Sequence, residues 1–282
     1  MKKRLTLLLL LTALLMGACA TDQAGQRPVV TTTIAPLAYL IEEIAGDDYD
    51  IVVLTPDGSS PETYQLTPRQ LAELSRSRAL FTVGSLGFEH TQLNKITQAA
   101  PDVRRVETAD GLHLLHGDTH CGEDHGDPHL WLAPSNLKHM ATNICRVLTD
   151  MDSTKATLYA QRLSAYHAKA DSLDAAIRSR LDSVPTRAFA IFHPALAYFA
   201  RDYGLTQIAL QHEGKEASPA RMADVVSLCR ENNVKVVFVQ KGHTRSSAEA
   251  VARETQCRIV EINPLARQIH DELTHIAESL NP

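Results

Sequence analysis

Residues 152–181 read DSTKATLYAQRLSAYHAKADSLDAAIRSRL. Leu163, Tyr166, Ala170, Leu173, Ile177 and Leu181 recur at spacings of three and four, which places them on one face of a helix. Pro185 follows and stops it, because proline lacks the N–H that a helix interior requires. At 1.5 Å per residue a helix of about thirty residues extends roughly 45 Å, longer than one sheet needs for cover. The stretch is expected to run between two domains as a rigid backbone over residues 151–184.

On both sides of it the hydrophobic pattern alternates between short β-branched runs and longer helical segments. Upstream, strands are expected at Val29–Ile34, Ile51–Leu54, Leu80–Val83 and Val103–Val106. Helices are expected at Pro36–Ala45, Pro68–Ser75, Thr91–Ala99 and Pro134–Leu148. Downstream the alternation restarts with strands Ala188–Phe192, Gln207–Leu210, Val234–Val239 and Arg258–Ile262. Their helices are Ala195–Asp202, Pro219–Asn232, Ser246–Thr255 and a last one from Ala266. This order favours parallel sheets covered by helices. The expected fold is α/β, with two similar parallel-sheet lobes, 28–150 and 185–282, joined by the long helix. No repeat of fixed period marks a solenoid.

The amino terminus reads as an address. Lys2, Lys3 and Arg4 precede an apolar run from Leu5 to Met16, too short to span a bilayer comfortably. Residues 1–18 are therefore expected to be a signal peptide. Met16-Gly17-Ala18-Cys19 resembles a bacterial lipobox, which makes Cys19 the lipidated first residue of the mature chain and 19–27 a flexible tether. A plain signal peptide cleaved nearby is the alternative. Removing Lys2, Lys3 and Arg4 takes the formal net charge from −5 to −8. No Lys/Arg excess exists to neutralise phosphates, so no nucleic-acid partner is expected. With 44% hydrophobic residues among 282, the chain has material for a sizeable core, and disordered or disulfide-dense classes are excluded. Export permits disulfides, and Cys121, Cys145, Cys229 and Cys257 allow three complete pairings, of which Cys229–Cys257 is geometrically conceivable.

The 13 histidines are unevenly placed. His113, His116, His120, His125 and His129 fall within one short window, interleaved with Asp118, Cys121, Glu123, Asp124 and Asp127 and loosened by Gly117, Gly122 and Gly126. Imidazole, thiolate and carboxylate together make a loose transition-metal collector over 113–129, with His116, His120 and His125 as auxiliary low-affinity ligands; a plain polar loop is the competing reading. His129 differs, since it leads into the apolar run Leu130-Trp131-Leu132 after Pro128. His193 directly follows an expected strand, and the carboxyl ends of parallel strands are where α/β sheets place ligands. Glu213 and Glu216 read as solvated loop carboxylates near the cleft, and Asp57 as a turn residue before Gly58.

Four segments carry a family resemblance: Thr55–Tyr64 (TPDGSSPETY), Asp127–Leu132 (DPHLWL), Phe192–Phe199 (FHPALAYF) and Glu261–Leu265 (EINPL). Through them the chain resembles the ZnuA-like cluster A zinc/manganese solute-binding lipoproteins of ABC importers, along essentially the whole mature sequence. The resemblance implies two α/β lobes joined by a backbone helix, with metal bound in the interlobe cleft. It also implies an ABC permease and its ATPase as partners, a membrane-anchored extracytoplasmic location and a monomer. The ligand positions it carries over are Glu62, His129, His193 and Asn263. Two of them depart from the family: Glu62 stands where His is usual, and Asn263 where Asp is frequent. Two imidazoles and one carboxylate suit tetrahedral Zn²⁺, whereas Mn²⁺ prefers more oxygen and binds most weakly in the divalent series. Zn²⁺ is thus the expected cargo and Mn²⁺ the alternative.

An enzyme would need more than this. Two histidines, a carboxylate and an open position also describe a zinc hydrolase, but the sequence has no HExxH, GxSxG, GxxxxGK[ST] or post-strand GxGxxG. The expected function is metal capture and delivery to a permease, with a metal-binding surface adhesin as the other reading.

Overall fold

The computed structural model describes residues 27–116, 126–211 and 218–281. The expected signal segment, Cys19, His120, Cys121, His125, Glu213 and Glu216 lie outside these residues. The first lobe contains β1 (Val29–Thr32), α1 (Ala35–Ala45), β2 (Asp50–Val53), α2 (Pro68–Leu74), β3 (Ala79–Thr82), α3 (Gly87–Ala99), β4 (Arg104–Glu107) and α4 (Pro134–Met151). The backbone helix α5 spans Ala156–Asp182. The second lobe continues with β5 (Ala188–Ile191), α6 (Ala197–Tyr203), β6 (Thr206–Ala209), α7 (Pro219–Glu231), β7 (Val236–Gln240), α8 (Ser246–Thr255), β8 (Arg258–Ile262) and α9 (Ile269–Ser279).

Both sheets are entirely parallel and share one topology, β2-β1-β3-β4 and β6-β5-β7-β8. The inner strands β3, β5 and β7 read as near-continuous apolar runs because helices cover both faces, whereas the edge strands β4, β6 and β8 carry exposed polar residues. In β5, Phe189 and Ile191 enter the main core while Ala188 and Ala190 face a second cluster. In β7, Val236 and Phe238 divide from Val237 and Val239 in the same way. This is the two-residue alternation of a strand expressed as two apolar layers.

The main core does not stop at the lobe boundary. Ile41, Leu80, Trp131 and Leu137 belong to the same buried cluster as Phe189, Tyr198, Phe238 and Ile276. Helix α5 seals its side: Tyr159, Tyr166, Ala170, Ile177 and Leu181 are buried, and Leu163 and Leu173 pack against them. Polar ties fasten the helix to both lobes. Tyr159 donates to Asp48 at 3.0 Å, Arg162 to the Ala45 carbonyl at 2.6 Å, and Arg180 to Glu278 at 2.8 Å. Between these, Tyr166 Oη lies 3.1 Å from His270 Nε2, and Tyr39 packs edge-on against the Tyr166 ring. Helix α5 is therefore a packed brace.

Among the element boundaries that differ from expectation, two have a visible cause. Helix α3 begins at Gly87 instead of Thr91, because the buried Glu89 carboxylate accepts the N–H groups of Val83, Gly84 and Leu86. Helix α9 begins at Ile269 instead of Ala266, since residues 263–266 form a turn in which the Ala266 N–H donates to the Asn263 carbonyl. Cys145, Cys229 and Cys257 are buried free thiols, so the conceivable Cys229–Cys257 bridge is absent among the described residues. Burial, with Cys257 nearby, pushes the Cys229 thiol up to about 12.

Candidate metal centre

The loops that leave the carboxyl ends of the strands converge between the lobes. Glu62 lies on the loop after β2, His129 on the segment after β4, His193 after β5, and Asn263 after β8. Glu62, His129 and His193 each offer a ligand atom, and these atoms all lie within 4.8 Å of one another. They line a cavity of about 130 Å³ together with Trp131, Gln240 and His243.

Each histidine is oriented by a partner on its far nitrogen. Asp127 Oδ1 sits 2.8 Å from His129 Nδ1 and also accepts the His129 backbone N–H at 2.8 Å. A carboxylate on Nδ1 holds the proton there and presents the Nε2 lone pair, an arrangement typical of metal-ligating histidine. The Trp131 ring packs beside His129 at 5.3 Å, and its Nε1 donates to the Pro264 carbonyl of the other lobe at 2.7 Å. His193 Nδ1 meets Gln211 Oε1 at 3.1 Å. The His193 backbone is clamped at both ends by Gln240, which accepts its N–H at 3.2 Å and donates to its carbonyl. The two Nε2 atoms then face one carboxylate oxygen: Glu62 Oε1 is 2.8 Å from His193 and 3.7 Å from His129. Those separations straddle the edge of a tetrahedron with bonds of about 2.0 Å, which is roughly 3.3 Å.

Backbone packing sets the position of Glu62. Gly87, the first residue of α3, approaches so closely that a Cβ there would stand 2.8 Å from the Glu62 carbonyl oxygen. His129 is pinned from the second lobe, where the Tyr198 hydroxyl donates to the Asp127 carbonyl at 2.7 Å. The Asp127 N–H donates to the Leu115 carbonyl at 2.8 Å, drawing together the two ends of the His-rich segment. The electrostatics follow from burial. Desolvation lowers the His193 pKa, but the Glu62 hydrogen bond and charge outweigh it and hold His193 above the ordinary imidazole value.

Asn263 lines the same cavity, but its amide oxygen accepts the Leu265 N–H at 3.2 Å. Asp57, read from sequence as a turn residue, instead forms an ion pair with Lys241 of the other lobe at 2.6 Å. His116 and His113 are described, and neither joins the three-ligand cluster. Sequence reasoning missed Asp127 as the partner of His129 and missed His243 altogether. His243 follows β7 as His193 follows β5, so the same strand-end rule applies to it.

The zinc-uptake complex component A family, ZnuA, matches residues 30–278. A putative metal-binding protein of Chlamydia trachomatis is 28% identical over 96% of this chain and 97% of its own length. The manganese ABC transporter substrate-binding lipoprotein PsaA of Streptococcus pneumoniae is 26% identical over 92% of this chain and 88% of its own. A crystal structure of ZnuA superposes with a TM-score of 0.86 at 33% identity, covering 90% of this chain and 98% of that one. With a cleft of this geometry and a family match over nearly the whole described chain, the protein belongs to the ZnuA family of zinc/manganese solute-binding proteins of ABC importers and is not an enzyme.

Proposed function

We propose that this chain captures Zn²⁺ on Glu62, His129 and His193 and delivers it to an ABC permease and its ATPase. The observation that carries the reading is the convergence of two Nε2 atoms on one Glu62 oxygen, with the far nitrogen of each ring already engaged. Two nitrogens and one carboxylate favour zinc over manganese, which draws its ligands chiefly from oxygen. A ZnuA-family match and a manganese-binding relative keep Mn²⁺ as the competitor. Asn263 stands at the edge of this set with its oxygen in a turn.

The domain plan follows the sequence reading: signal peptide 1–18, lipid on Cys19, tether 19–27, lobes 28–150 and 185–282, brace 151–184. The lipid holds a monomeric body at the outer face of a membrane, in keeping with a relative named a lipoprotein. No helix among the described residues is long and apolar enough to cross one. His116, His120 and His125 collect metal at lower affinity on the segment before His129. The test is competitive titration of the metal-stripped mature chain with Zn²⁺ and Mn²⁺. One tight zinc site is expected, lost when His129→Ala and His193→Ala are combined. Full zinc affinity in that double variant overturns the reading.

A further inference from the structure

We infer that His243 is an additional metal donor of this cleft, a third imidazole that closes on a divalent transition-metal ion held by Glu62, His129 and His193. The inference rests on the proposed function and deepens it. His243 lines the same cavity and is half-buried there. Its ring stacks on that of His193 with centroids 5.9 Å apart and planes 12° from parallel, and Phe192 supports it at 5.4 Å.

The donor inventory of the cavity points to this ring. Three ligands leave zinc one short of its usual four, and the Ser59 and Ser60 hydroxyls that also line the cavity are not among its usual ligand types. Asn263 has its oxygen on the Leu265 N–H, and the Gln240 amide is committed to both ends of the His193 backbone. The Trp131 N–H is spent on Pro264, and Lys241 is a cation paired with Asp57. Among the described residues, neither ring nitrogen of His243 has a hydrogen-bond partner, unlike those of His129 and His193, each of which has its Nδ1 engaged. An imidazole that lines the cavity with both nitrogens unclaimed retains a lone pair for an ion.

Geometry also says how the ring would reach it. The His243 nitrogens lie outside the cluster whose ligand atoms fall within 4.8 Å of one another, so ligation requires the ring to swing from its stack. The backbone beneath does not supply that movement. Gly242 has φ +85° and faces the other lobe so closely that a Cβ would stand 2.8 Å from the Gly58 carbonyl oxygen. Rotation about χ1 between staggered wells, together with the broad χ2 torsion of the ring, supplies it instead. A third nitrogen would make the site softer and shift its preference further from Mn²⁺ towards zinc.

The test uses X-ray absorption and competitive zinc titration on the zinc-loaded mature chain, with His243→Ala and His243→Phe. The expected result is three imidazoles on zinc in the parent and two in each variant. The zinc Kd should rise at least about tenfold in both, the smallest effect seen even for outer-shell partners. Two imidazoles in the parent, or parent affinity in His243→Phe, which keeps the stack without the lone pair, overturns the inference. His129→Ala and His193→Ala in the same series separate the two claims. If those abolish tight binding while the His243 variants do not weaken it, only this inference fails. If they too retain it, the proposed site itself fails.

Discussion

Asp127→Asn isolates how the cleft prepares His129 for metal without removing a ligand. The substitution is nearly isosteric, and at 2% exposure the parent carboxylate is shielded from solvent. One oxygen holds two N–H groups of His129 at 2.8 Å each, the ring Nδ1 and the backbone amide. Asparagine keeps an acceptor but loses the charge that raises the basicity of Nε2. It also permits the amide NH₂ to face Nδ1, which would force the proton onto Nε2 and block the ion. Loss of such an outer-shell partner costs about 10- to 100-fold in metal affinity. That corresponds to roughly 1.4 to 2.7 kcal/mol. The assay is competition with a chromophoric chelator at fixed pH, using parent, Asp127→Asn and His129→Ala. The expected order of zinc affinity is parent, then Asp127→Asn, then His129→Ala. A Kd for Asp127→Asn within about twofold of parent, or one weaker than His129→Ala, refutes the orienting role.

Three further outcomes follow from other parts of the structure. Gly87→Ala should weaken zinc binding several-fold by pushing on the Glu62 carbonyl, and a double-mutant cycle with Glu62→Ala should show no additional effect; additive losses would contradict it. Burial, with Lys169 contributing, lowers His270 to about 4 against an ordinary 6.5. Between those values the unfolded chain takes up a proton that the folded chain refuses, so stability falls as pH drops through that window, by up to about 3 kcal/mol. Urea unfolding of the metal-free protein should show a flatter pH slope in His270→Phe over that window, and an unchanged slope would contradict it. Lys241→Ala removes an exposed, solvent-screened interlobe ion pair and should leave the urea unfolding midpoint close to that of the parent at any salt concentration; a large drop would contradict it.

Much of the fold was legible because the relevant signals are local. Strand runs and helix periods each lie within a few residues, and the face of α5 that reads as apolar is the face that is buried, extended by Tyr159 one turn earlier. What was not legible depends on partners distant in sequence. The start of α3 is set by Glu89 reaching back to the N–H groups of Val83 and Gly84, with no Ser or Thr cap to announce it. The bracing of α5 along its length needed Asp48, His270 and Glu278 from both lobes. At the site, His129 and His193 were visible as histidines bordering apolar runs. Glu62 entered only through family resemblance, since a loop carboxylate carries no periodic signature. Asp127 reads as one more carboxylate among the clustered histidines until its oxygen is seen on Nδ1. His243 stood at a strand end like His193, but the Lys-Gly-His loop around it lacks the flanking apolar run that marked the others.

The central claim is that Glu62, His129 and His193 together hold the ion. Anomalous diffraction at the zinc edge from crystals of the zinc-loaded protein tests this. One strong peak is expected in the cleft, about 2.0 to 2.2 Å from Nε2 of His129, Nε2 of His193 and a Glu62 carboxylate oxygen. A strong peak elsewhere, or a cleft peak with Glu62 or either imidazole beyond bonding distance, would contradict it.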